Sequence, residues 1–96
     1  MDIEKLIVAS NSISDIETKL KLFASIIMRA DIEDSYVTLL INILPEEYHQ
    51  LGEKGKRVKL EVTEHNMLLA ESLKARGYIS KYATKGDKIQ LNTKRG

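Results

Sequence analysis

Hydrophobic and polar positions divide this chain into segments of different period. From Asp15 to Ala30, the apolar residues Ile16, Leu20, Phe23, Ala24, Ile27 and Ala30 recur at intervals of three and four. That spacing predicts an amphipathic helix. Ser12 or Ser14 stands where it could cap the helix, and Asp15 and Glu17 fall in the first turn, where the helix dipole favours anions. Arg57–Val62 alternates instead. Val58, Leu60 and Val62 point one way and Arg57, Lys59 and Glu61 the other, the pattern of a half-buried strand. Thr63 then offers a cap for a helix over Glu64–Arg76, and Gly77 a stop. Tyr78–Ala83 and Lys88–Thr93 read as two strands of a hairpin across Lys85-Gly86-Asp87.

The first half holds three further segments. Ile3–Ala9 is apolar-rich and reads as a short strand, broken by Ser10-Asn11-Ser12. Tyr36–Leu44 is apolar and β-branched almost throughout, which predicts a buried central strand ended by Pro45. Pro45–Leu51 reads as a short helix stopped at Gly52. The predicted order is therefore β-α-β-β-α-β-β. This is an α+β domain with a largely antiparallel sheet and two main helices on one face, ferredoxin-like or double-wing-like. Ninety-six residues suit a single domain with one core.

Charge adds what the net value of +1 hides. Residues 1–53 carry four Lys or Arg against ten Asp or Glu, whereas residues 54–96 carry eleven against four. The front is thus −6 and the back +7, a dipolar chain unless the two halves neutralise each other on folding. In the back half, Lys54, Lys56, Arg57 and Lys59 cluster around one loop and its strand, and Lys81, Lys85, Lys88, Lys94 and Arg95 decorate the hairpin and tail. Gly55 and Gly86 lie beside them, where backbone could approach a phosphate. Clustered cations of this kind bind nucleic acid by displacing counterions. Two hairpin registers are open. A three-residue loop Thr84-Lys85-Gly86 would put Tyr78 and Tyr82 among Lys and Asn, as stacking residues for bases. A two-residue loop would bury both tyrosines beside Ile89 and Leu91.

Other chemistry finds little support. The chain has no Cys, so it has no disulfide, thiolate metal site or cysteine nucleophile. His49 and His65 lack a third convergent ligand, and Asp31, Glu33 and Asp34 read as a solvated loop rather than a metal site. Gly52–Arg57 lacks the spacing of a nucleotide-binding loop, and Ser10, Ser12, Ser14 and Ser25 have no histidine at a recognisable spacing. The expectation is a protein that is not an enzyme and uses no cofactor. No apolar run is long enough to cross a membrane, and the first residues do not make a secretory core, so a cytoplasmic location is expected.

The stretch from Glu64-His65 through Gly77, Lys85-Gly86 and Leu91 to Lys94-Arg95 resembles the C-terminal double-wing DNA-binding domain of the MotA family of phage middle-gene transcription activators. The shared pattern is an acidic-His pair opening a helix, a Gly closing it, a basic-Gly turn between strands and a terminal Lys-Arg. It covers about a third of the chain, and the first half departs from it. The resemblance implies that Lys81, Lys85, Lys88 and Lys94 are wing residues facing DNA. The small size and the Ile/Lys/Glu-rich composition also look like those of an early phage regulatory protein, which would act in a host cytoplasm. Two functions follow as expectations. One is a regulatory module that binds DNA or RNA through the basic loop and the hairpin. The other is a small inhibitor or adaptor that binds a protein partner, or a second copy of itself, through an exposed Lys88–Thr93 edge strand or leftover apolar surface on the Glu64–Arg76 helix.

Overall fold

The amphipathic stripe beginning at Ile16 forms the helix its spacing predicts, and in the computed structural model of the chain, which describes residues 3–29 and 31–94, it runs over Ile16–Ile27. Its cap is Asp15 rather than Ser12 or Ser14. The Asp15 carboxylate accepts from the Thr18 amide at 3.2 Å and from the Thr18 hydroxyl at 2.5 Å. Those two bonds hold the carboxyl below its usual pKa. The helix ends before residue 30, which lies outside the described residues.

Three more helices follow the same logic. We label the helices α1 (Ile3–Asn11), α2 (Ile16–Ile27), α3 (Asp34–Asn42) and α4 (Glu64–Arg76), with a 3-10 helix at Glu46–Gly52. The strands are β1 (Arg57–Glu61), β2 (Ile79–Lys85) and β3 (Lys88–Thr93). The α+β class stands, but two of the expected strands are helices. Ile3–Ala9 lies in α1, whose end is closed by local bonds from the Ser12 amide and hydroxyl to the Ala9 carbonyl. Tyr36–Leu44 falls largely in α3, where Val37, Leu40 and Ile41 are buried and Leu39 is 45% exposed, and Leu44 just past its end is buried too. Those buried positions sit at helical spacing, and tertiary burial of that stripe outweighs the β-propensity of the segment. The front half is thus helical, and the expected repeat of β-α-β units is absent.

The sheet has three strands in the order β1-β3-β2, and both pairings are antiparallel. β1 and β2 therefore run in the same direction, joined through α4, with β3 inserted between them. Strand β3 is central, so Lys88–Thr93 is not the exposed edge that a partner would extend; among the described strands β1 and β2 are the edges. Helix α4 contacts α2 on one side and β2 and β3 on the other. This explains its wide apolar arc. Leu69, Ala70 and Leu73 are buried and Met67 packs against the core, with Leu68 at 38% exposure the residue left over. The arc that pointed to a dimer is covered mostly from within.

Two polar devices fasten these layers. The buried Asn66 side chain accepts from the Tyr48 hydroxyl at 2.8 Å and donates to the Glu61 carbonyl at 2.9 Å, tying the 3-10 helix, β1 and α4 together. Arg76, at the end of α4, donates to the carbonyls of Ile27, Arg29 and Ile32 and reaches the Asp34 carboxylate at 3.4 Å. It closes the connection between α2 and α3. Gly77 then turns the chain into β2 at φ 89°, a conformation that favours glycine.

Candidate nucleic-acid interface

The hairpin settles its register at the turn. Lys85 pairs with Lys88, so the loop is the two residues Gly86-Asp87. Gly86 has φ +62° while Asp87 does not have positive φ, the arrangement of a type II′ turn. Tyr82 accordingly stands opposite the buried Leu91 and Thr84 opposite Ile89. Between Ile79 and Lys81 the register shifts by one residue. Without that bulge, Ile79 and Tyr82 would lie on opposite faces; with it, both turn toward the helices.

The other side of the sheet is open. Its residues form three rows across the strands: Arg57, Asn92 and Lys81; Lys59, Gln90 and Ala83; Glu61, Lys88 and Lys85. Each row is built from aligned partners on β1, β3 and β2. Same-face residues along a strand stand about 7 Å apart and adjacent strands about 4.8 Å apart, so the nine Cα positions span roughly 14 by 10 Å. Five of the nine are cationic and one, Glu61, is anionic. Lys85 and Lys88 are direct cross-strand partners of like charge, a pairing that costs stability.

Among the described residues the ion pairs are Lys21 with Glu17 and Glu64, Arg29 with Asp31, and Arg76 with Asp34. None involves a cation of the sheet.

At one end of the face the surface is concave. Gly55, Lys56, Arg57, Ser80, Lys81, Asn92, Thr93 and Lys94 line a groove of about 550 Å³. The Thr93 hydroxyl accepts from the Lys56 amide at 2.6 Å, and the Thr93 amide donates to the Lys56 carbonyl at 2.9 Å. The Gly55 amide donates to the Lys94 carbonyl at 2.9 Å. These bonds fix the loop entering β1 against the end of β3. A smaller depression of about 250 Å³, over the hairpin, is lined by Arg57, Lys81, Lys85, Gln90 and Asn92, and Tyr82 borders it from β2.

The residues singled out from the sequence therefore divide. Lys56, Arg57, Lys59, Lys81, Lys85 and Lys88 come together. Lys94 stands between two surfaces, lining the groove while its ammonium lies toward Gly77. Lys54 is exposed on a different depression, with Asp34, Glu53, Gly77 and Tyr78. Arg95 is outside the described residues. The stacking surface does not form. The Tyr78 hydroxyl donates to the Asp34 carbonyl at 2.9 Å, and the Tyr82 ring lies 5.7 Å from the Lys74 ammonium of α4. Lost hydration and the nearby Glu71 carboxylate push the Tyr82 phenol above its usual pKa. Phe23, Tyr36 and Tyr48 likewise pack in or against the core, so none of the nine positions of the open face is aromatic and Tyr82 only borders it.

No cluster of metal-ligating side chains occurs among the described residues. His49 Nε2 lies 2.7 Å from the Leu44 carbonyl and donates to it. Asp31 is held by Arg29, which keeps its carboxyl below the usual pKa. Among the described residues no helix is long and apolar enough to cross a membrane.

The chain is 30% identical over 80 residues to the uncharacterized membrane protein YobI of Bacillus subtilis (strain 168). The match covers 83% of this chain and about 6% of the length of that relative. No family model and no solved structure matches the chain.

Proposed function

We propose that this chain is a non-catalytic regulatory module that binds nucleic acid in the cytoplasm through the open face of its sheet. The observation that carries this reading is the nine-position face, with five cations, one carboxylate and, among the described residues, no ion pair to the acidic half of the chain. A fold that places Lys85 opposite Lys88 gives up stability, and a polyanionic ligand would return it. The groups left on the face are cations, amides and one small apolar residue. With no aromatic ring among the nine positions, contact is chiefly to the phosphate backbone, and discrimination between sequences is weak. Three of the four lysines that the resemblance to double-wing domains assigns to DNA, Lys81, Lys85 and Lys88, lie on this face. The fourth, Lys94, lies at its end.

The test is fluorescence anisotropy with a labelled oligonucleotide of mixed sequence, single-stranded and duplex, across a salt series. Log affinity should fall linearly with log salt. The K85E/K88E variant should lose binding at low salt, whereas K54E, an exposed charge reversal away from the face, should retain it. Equal binding by wild type and K85E/K88E, or binding by neither at low salt, would refute the reading.

A further inference from the structure

The groove at the end of the sheet differs from the rest of the face. Over most of the face the cations are spread on a nearly flat surface, one or two to a row, with amides between them. In the groove Lys56, Arg57 and Lys81 line one concavity with Lys94, and among the described residues no carboxylate lines it. Its floor is preorganised. Thr93 clamps the Lys56 backbone through its own hydroxyl and amide, the pairing of Arg57 with Asn92 and of Asn92 with Lys81 sets those three side by side, and Ser80 donates its hydroxyl to the Asn92 carbonyl at 3.2 Å. Gly55 has φ +70° and no atom within 4 Å of where a Cβ would stand, so the entrance is open on that side. The backbone amides of Lys56, Thr93 and Lys94 are already bonded within the protein, which leaves recognition to the cationic side chains and the Asn92 amide.

A concave cluster of several cations without a counter-ion is more than one diester phosphate requires. An internal phosphate of a nucleic-acid strand carries a single charge, whereas a phosphomonoester carries about −1.5 to −2 at neutral pH and offers three acceptor oxygens. We propose that this groove holds the terminal phosphomonoester of a nucleic-acid strand, with Arg57 as the residue able to grip two oxygens at once and Lys56 and Lys81 as flanking charges. This inference rests on the nucleic-acid reading of the face and adds an end to it. The strand would be seated by its phosphorylated end and run from the groove toward the hairpin tip at Lys85 and Lys88.

The experiment compares one labelled oligonucleotide carrying a 5′-phosphate, a 3′-phosphate or hydroxyls at both ends, each titrated with the full chain. One of the phosphorylated forms should bind at least about fivefold more tightly than the hydroxyl form, the gain expected of one added charge-assisted contact. R57Q should erase that difference while the hydroxyl form still binds. K85Q/K88Q should weaken all three forms and leave the difference in place. Circular dichroism of each variant confirms that it is folded, and R57K, which keeps the charge but not the fork, serves as a second, milder probe. Equal affinity for all three forms would overturn the end-recognition proposal alone, with the face still a binding surface. Failure of all three to bind would overturn both.

Discussion

Arg76 is the side chain on which the helical half of the fold depends most, and its removal gives the strongest test of the structure. Its guanidinium is largely buried, with 16% of the side chain exposed. It donates to three carbonyls in the segment joining α2 to α3: Ile27 at 3.2 Å, Arg29 at 2.5 Å and Ile32. Ile27 and Ile32 are buried residues, 0% and 3% exposed. Loss of a partner from a buried carbonyl costs about 1–3 kcal/mol. The Arg29 carbonyl belongs to a half-buried residue and can recover a water molecule, so it adds little. Two stranded carbonyls with partial relaxation give about 3 kcal/mol for R76M, which keeps most of the apolar stem. A domain of this length has roughly 5–14 kcal/mol of stability in total. In urea, at a slope of about 1–2 kcal/mol per molar, the midpoint should fall by roughly 1.5–3 M with the slope unchanged. R76K should fall between the two proteins, because one ammonium has no planar fork to span carbonyls from two elements. An R76M midpoint within about 0.5 M of wild type would refute the assignment of Arg76 as the clamp between α2 and α3.

Other expectations are as direct. Y48F removes the donor to the buried Asn66 oxygen and should cost about 1–2 kcal/mol by chemical denaturation. G77A forces a Cβ into a left-handed conformation, 3.3 Å from the Lys94 ammonium, and should cost about 1–2 kcal/mol in the same assay. The Asp15 carboxyl is depressed by its bonds to Thr18, so its contribution to stability is present above the unfolded value and lost as pH falls through the lower folded value. A carboxyl titration by NMR should show the Asp15 pKa returning toward 3.8 in T18V. For binding to a duplex, K85Q/K88Q should make the slope of log affinity against log salt shallower by about 1.8, if both lysines neutralise a phosphate.

The back half was legible because its signals are local. Alternation over Arg57–Glu61, a threonine cap and a glycine stop each specify a short piece of backbone without reference to the rest of the fold. Thr63 does accept from the Asn66 amide, at 3.1 Å, and α4 has the bounds its caps imply. The segment around α3 failed because a continuous apolar run has no unique period. Its Val37, Leu40, Ile41 and Leu44 fit a helix as well as its β-branched residues fit a strand, and the outcome rests on what the segment packs against. Ile3–Ala9 presented the same ambiguity over a shorter run. Arg76 carried no signal at all beyond a cation in a last helical turn. Its acceptors lie 44 to 49 residues away in sequence, and no pattern announces a carbonyl as a partner.

The cationic face shows how one irregularity decides what a hairpin can do. The turn Gly86-Asp87 alone would align β2 so that Tyr82 faces the core and Ile79 faces solvent. That arrangement would expose an isoleucine beside Arg57 and Asn92 and leave a gap beneath Thr93. The extra residue at Ser80 reverses the phase of β2 behind it, returns Ile79 to the core and keeps Lys81 and Lys85 on the outer side with Lys88. The bulge therefore completes the core and the uninterrupted polar face in one step. It also kinks an edge strand that already carries Lys81 and Lys85, two features that discourage another chain from pairing there. An edge so protected is poorly suited to extending a partner's sheet, and the same lysines that guard it are among those that give the open face its charge. The binding surface and the defence of the edge are thus one set of residues. A single deletion of Ser80 should therefore separate the two roles: Ile79 would stand directly before Lys81, still opposite Thr93 and facing the core, and the row that joins Arg57, Asn92 and Lys81 should persist while the edge loses its kink.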